Sequence, residues 1–108
     1  MQKLSLDALA REQLDRARTS GGRSASTVFG GHEKSLRQTL MAMVAGTGTG
    51  EHASPGEATL QVLAGRIELT AGEDRWECRA GDFLLIPPQS HAVTAIEDAA
   101  ILLTVCMN

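Results

Sequence analysis

Apolar positions recur at helical spacing in one stretch only. Between Ser5 and Arg18, residues Leu6, Leu9, Ala10, Leu14 and Ala17 form a single stripe, with Asp7, Arg11, Glu12, Asp15 and Arg18 turned away. This predicts a helix over residues 5–18. Ser5 is placed to cap it, Leu4 and Leu9 are spaced for a hydrophobic staple, and Thr19-Ser20-Gly21-Gly22 stops it. The stripe is expected to pack on the protein's own surface rather than on a partner.

From Arg23 the period changes. Short apolar or β-branched runs alternate with turn residues, which predicts strands at 24–29, 36–45, 58–63, 66–71, 75–78, 82–86, 91–96 and 99–106. The run LRQTLMAMVA at 36–45 would be buried on both faces, and AAILLTVC at 99–106 fully buried. Turns fall at Gly30-Gly31, Ala64-Gly65, Gly72-Glu73-Asp74, Ala80-Gly81 and Glu97-Asp98, and Pro87-Pro88 ends the strand before it. Residues 46–57 read as a loop with brief extended pieces. About eight short, evenly spaced strands indicate an all-β sandwich or barrel. The expected organisation is a helix and linker over residues 1–22 and a barrel over residues 23–108, one domain overall.

Composition narrows the partners. Ten Lys and Arg against thirteen Asp and Glu give a net charge of −3, and there are two Phe, one Trp and no Tyr. Neither a basic patch nor a stacking platform for nucleic acid is present. No apolar run is long enough to span a bilayer, and the first residues lack the apolar core of a secretion signal, so a cytoplasmic location is expected. Cys78 and Cys106 have no CxxC spacing and read as two buried thiols.

The candidate chemistry lies in Gly46–His91, a stretch that holds seven of the eleven glycines and all three prolines together with two histidines, His52 and His91. Here the chain resembles the cupin superfamily, over roughly residues 36–106. That family carries a first motif with two histidines and a glutamate ending in glycine, and a second with glycine, proline and a third histidine. His52 stands at the first histidine position, Gly65 at the glycine closing the first motif, and Gly81 and Pro87 at the glycine and proline of the second. Pro55-Gly56-Glu57 and Gln61-Val62-Leu63-Ala64-Gly65 are also typical of it. The resemblance implies a double-stranded β-helix, or jelly roll, usually paired as a homodimer.

Two metal-ligand positions differ. Ser54 stands where the second histidine would be and Ala58 where the glutamate would be; Gln89 replaces a glycine, and His91 arrives one residue early. In a strand His52, Ser54 and Ala58 share a parity that Glu57 lacks. Glu51, Glu57 or Gln89 could supply a third ligand, though the motif places none of them there. Two imidazoles fall short of the three protein ligands that an open catalytic site usually needs. His52 and His91 are therefore candidate ligands for a divalent Fe, Mn, Ni or Zn, or an acid–base pair in the barrel mouth. The function expected first is binding of a small organic ligand or metabolite near His52 and His91, with Ser54 and Gln89 as further contacts and no catalytic residue assigned. The alternative is a metal-dependent enzyme of the small cupin kind: a dioxygenase, isomerase or decarboxylase. A third class is a sensory module acting through dimer contacts. Arg37 and Gln38 could reach a ligand carboxylate but read better as surface positions. Met41 and Met43 read as core, Trp76 as a cover for the barrel or a dimer seam, and His32 as a solvated loop residue.

Overall fold

The computed structural model describes residues 2–53 and 56–107. The chain opens with α1 (Leu6–Thr19), followed by β1 (Arg23–Phe29), β2 (Leu36–Met43), β3 (Glu57–Ala64), β4 (Arg66–Ala71), β5 (Asp74–Arg79), β6 (Phe83–Leu85), β7 (Ala92–Ala95) and β8 (Ala99–Cys106). All strand pairs are antiparallel. A five-stranded sheet runs β1-β2-β8-β3-β6 and a three-stranded sheet runs β5-β4-β7. The chain crosses between the sheets after β3, β5, β6 and β7, which is the expected jelly roll. No helix among the described residues is long and apolar enough to cross a membrane.

The helix forms as its pattern predicts. The Ser5 hydroxyl accepts from the Ala8 amide at 3.2 Å, and the Gly22 amide closes on the Ala17 carbonyl at 2.9 Å. Ala10 and Ala17 are buried, and Leu6, Leu9 and Leu14 pack with Leu40, Val28, Leu63 and Ala100 on the outer face of the five-stranded sheet. The staple does not close. Leu4 stays 56% exposed, beside a shallow groove that it lines with Leu6, Val28 and Leu36. Gln13 was not on the apolar stripe, yet it is buried, accepting a hydrogen bond from the Ser24 hydroxyl of β1. A polar side chain can be buried when a partner meets it.

Strand alternation then supplies two cores. Met41 and Met43 of β2 point between the sheets, while Leu40 points at the helix. Leu60 and Val62 of β3, Ile67 and Leu69 of β4, Val93 and Ala95 of β7, and Ile101 of β8 complete the inner core. Burial on both faces of β2 is confined to Leu40, Ala42 and Met43; Leu36 at its start is exposed. β8 is likewise buried from Ala99 to Leu102 and opens toward Cys106. The β3–β4 turn hinges on Gly65, whose φ is +74° and where a Cβ would lie 2.0 Å from the Asp98 carbonyl oxygen, so only glycine fits. The expectation of two buried thiols holds for Cys78 alone. Cys106 is exposed, because it ends β8 beyond the reach of both the helix and the opposite sheet.

Candidate functional site

Residues 46–52 run as an irregular edge beside β7. The Gly46 amide bonds the Ala95 carbonyl, the Ala95 amide the Thr47 carbonyl, and the Thr49 amide the Val93 carbonyl, at 2.8–2.9 Å. The Val93 amide returns to the Thr49 hydroxyl at 3.1 Å. Gly48 sits so close that a Cβ would fall 2.2 Å from the Val93 carbonyl oxygen. The Thr/Gly series is thus explained by close backbone approach with threonine filling the missing ladder bonds.

That edge brings His52 opposite His91. Each backbone amide donates to the other's carbonyl, at 2.9 and 2.8 Å, and the imidazole centroids are 4.8 Å apart with the planes tilted by 53°. The two histidines of that stretch, far apart in sequence, are therefore neighbours. Both rings are anchored in the same way: His52 Nδ1 bonds the Gly50 carbonyl at 2.9 Å and His91 Nδ1 the Gln89 carbonyl at 3.0 Å. A carbonyl only accepts, so the proton sits on Nδ1 and Nε2 is left as the lone-pair side of each neutral ring. His91 is buried at 3% exposure, whereas His52 forms an exposed rim.

The pair stands at a cavity of about 310 Å³ between the sheets. Met41, Leu60, Ile86, Val93, Ile101 and Leu103 wall it, and Thr39 and Thr49 add hydroxyls. Thr39 and Leu103 were not singled out from sequence. Their signal was the alternation with Met41 and Ile101, which puts all four on the inward face once β2 and β8 are paired. A wider groove of about 680 Å³ lies at the outer end of β3, β6 and β8 and is open to solvent, with Glu57 as its one charged lining side chain. It lacks the convergent polar groups that mark a small-molecule site.

The residues present do not complete a metal centre. Among the described residues no group of three His, Cys, Asp or Glu side chains is close enough to hold an ion. The reason is visible in β3. Ala58 pairs with Val105 on the inward face, so the position nearest in role to a ligand carries only a methyl. Glu57 pairs with Cys106 and lines the outer groove, so it cannot reach the histidines. Gln89, expected as a ligand contact, has an exposed side chain outside the cavity lining and serves the site through its backbone carbonyl. Ser54, the other expected contact, lies outside the described residues.

Among the remaining candidates, Met41 lines the cavity and Met43 is core. Arg37 donates to the His32 and Lys34 carbonyls, and Gln38 donates to the Thr104 hydroxyl; neither lines the cavity. His32 is an exposed loop residue, and Trp76 is 40% exposed on β5. Burial pushes the Cys78 thiol up, and the carboxylates of Asp82 and Glu77 add to the shift, so it is an inert core thiol.

Comparison with known proteins follows the same lines. The sequence profile of the cupin domain matches residues 39–107. Among curated proteins none matches the sequence. A conserved protein of unknown function from Streptococcus pyogenes superposes with a TM-score of 0.74 at 26% identity, over 82% of this chain and 77% of that one. A cupin superfamily protein from Desulfitobacterium hafniense gives 0.73 at 15% identity, over 80% and 78%. Salicylate 1,2-dioxygenase from Pseudoaminobacter salicylatoxidans gives 0.74 at 19% identity, over 93% of this chain but only 32% of the enzyme. At such identities the last two share the fold with this chain.

Proposed function

The chain belongs to the cupin family, and from that premise we propose that it binds a small organic molecule between its sheets, with His52 and His91 as the polar contacts. The observation that carries this reading is the walled cavity of about 310 Å³ with two anchored imidazoles at its rim. An apolar enclosure with a few convergent polar groups is the usual form of a small-molecule site. The test is NMR titration of the intact protein with a panel of small neutral, acidic and sugar ligands, following the methyl signals of Met41, Leu60 and Ile101. A binder shifts these signals saturably and raises the melting temperature by mass action. If no member of the panel moves them, the reading fails.

A metal-dependent dioxygenase, isomerase or decarboxylase is the second reading. It is favoured by the free Nε2 side of both rings, the state in which a histidine can ligate. It needs a third donor that the inward face of β3 does not offer, so we rank it second. We further propose a cytoplasmic homodimer. An exposed Cys106 thiol suits a reducing compartment, and the outer face of β6 suits self-association.

A further inference from the structure

Resting on the cavity reading above, the chemistry of the lining narrows the ligand. Neither Nε2 of the pair has a partner among the described residues, and no described side-chain nitrogen or oxygen is both sealed from solvent and unpartnered. His91 is 3% exposed, so its Nε2 keeps its accessible surface by opening on the cavity. The enclosure thus offers two lone-pair acceptors. Apart from the two imidazoles its walls are aliphatic or thioether, with no Phe, Tyr or Trp, no Lys or Arg and no carboxylate among the lining residues. The remaining polar groups are the hydroxyls of Thr39 and Thr49.

We propose that the cavity selects a neutral aliphatic or alicyclic molecule bearing a hydroxyl group. The ligand O–H donates to one imidazole Nε2 of the pair, and its oxygen accepts from a threonine hydroxyl. The corresponding ketone can satisfy only the threonine and leaves the imidazole lone pairs unmet. A carboxylate brings a negative charge against two acceptors in an enclosure without a cation, and an ion desolvated without a partner is strongly disfavoured.

The discriminating experiment titrates the full chain at a pH of about 8, where imidazoles are ordinarily neutral, with menthol, menthone and cyclohexanecarboxylate. Calorimetry supplies affinities, and the methyl signals of Met41, Leu60 and Ile101 report occupancy. Menthol should bind roughly tenfold to hundredfold more tightly than menthone, the usual consequence of leaving a buried polar group unpaired, and cyclohexanecarboxylate should not saturate. In a variant carrying both His52→Gln and His91→Gln, whose amides can donate as well as accept, the alcohol-to-ketone ratio should fall towards one; should that variant fold poorly, at least one of the two single substitutions should lower the ratio, and an unchanged ratio in both would overturn the proposal. Menthone or cyclohexanecarboxylate binding as well as menthol overturns the selectivity while leaving the cavity reading intact. If none of the three moves the methyl signals but another member of the earlier panel does, the selectivity is again overturned. If nothing at all moves them, the cavity reading itself is lost and the selectivity with it.

Discussion

His52 and His91 share a backbone bridge but occupy unlike surroundings, and their substitution should separate stability from binding. His91 is 3% exposed among Val93, Ile86 and Leu103, so His91→Ala leaves unfilled space and an orphaned Gln89 carbonyl. It should cost about 1–3 kcal/mol in urea denaturation. His52 stands at the rim, and His52→Ala should cost less than about 1 kcal/mol, while weakening any cavity ligand as much as the buried partner does. Equal stability costs for the two would mean that the burial difference has no energetic meaning. The metal question also belongs to single residues. Protein prepared without chelator, reconstituted with Fe, Mn, Ni or Zn in turn and dialysed, should retain well under one equivalent, since two imidazoles give little selectivity or affinity without a third donor. One equivalent retained by wild type and lost in both histidine variants would put the metal-dependent enzyme first. Which of these residues could be read in advance follows from what a pattern encodes. The two histidines were legible as motif positions. That Glu57 faces outward was implied by strand parity, and the pairing with Cys106 bears it out. The part played by Gln89 was not legible, because it acts through a backbone carbonyl that any residue type would supply.

One carboxylate joins three elements. Asp98, in the β7–β8 turn, accepts from the Ala45 amide at 2.9 Å after β2 and from the Arg18 guanidinium at 3.2 Å at the end of α1. The Ala45 amide chiefly, and Arg18 next, hold this carboxyl below the usual carboxylate range. A depressed folded-state value means stability that is present in full above the ordinary value of 3.8 and is lost as pH falls through the lower folded value. The group is solvent-accessible, so the effect is modest and screened by salt. The melting temperature of Asp98→Asn should therefore fall less steeply than that of wild type on acidification below about pH 4, with the two curves parallel above it; parallel curves throughout would remove Asp98 from the acid response. A larger cost is expected at the turn below. Gly65→Ala must hold a positive φ against the Asp98 carbonyl oxygen, and should lose at least about 2 kcal/mol; a neutral result in thermal denaturation would show that the turn can reshape. The elements themselves were largely legible. All eight strands fall where alternation and turn residues set them, within about two residues at each end. What alternation missed is the edge formed by residues 46–52, whose ladder bonds are made by the backbone of Gly46, Thr47, Thr49 and His52 and by the Thr49 hydroxyl, and so leave no apolar period to find.

At the scale of the whole molecule the question is what covers the outer face of the five-stranded sheet beyond α1. Two rows cross this face. Leu85, Thr59, Thr104 and Gln38 are consecutive partners in one, and Phe83, Gln61, Leu102 and Leu40 in the other. None of the eight is charged, although 21% of the chain is. Leu85 at 71% and Phe83 at 62% are its most exposed large apolar side chains, and both stand on β6, a short strand paired on one side only. In a two-fold contact each patch meets its own copy, so like charges would face like charges. A chain with a net charge of −3 can associate with itself most readily through a surface poor in charge, and Glu57 is the one charged side chain lining the groove beside these rows. The proposed homodimer would set Phe83 and Leu85 of each protomer against the partner's groove beside Thr59 and Thr104. Sedimentation at micromolar concentration should therefore give twice the chain mass of 11.4 kDa. Phe83→Asp should shift the protein to monomer with little change in its intrinsic fold, because a side chain so exposed contributes little to the monomer core. Trp76→Asp, on the other sheet at 40% exposure, should leave the dimer intact. A wild-type species of 11.4 kDa alone would remove the dimer, and a dimer that survives Phe83→Asp but not Trp76→Asp would move the interface to the three-stranded sheet.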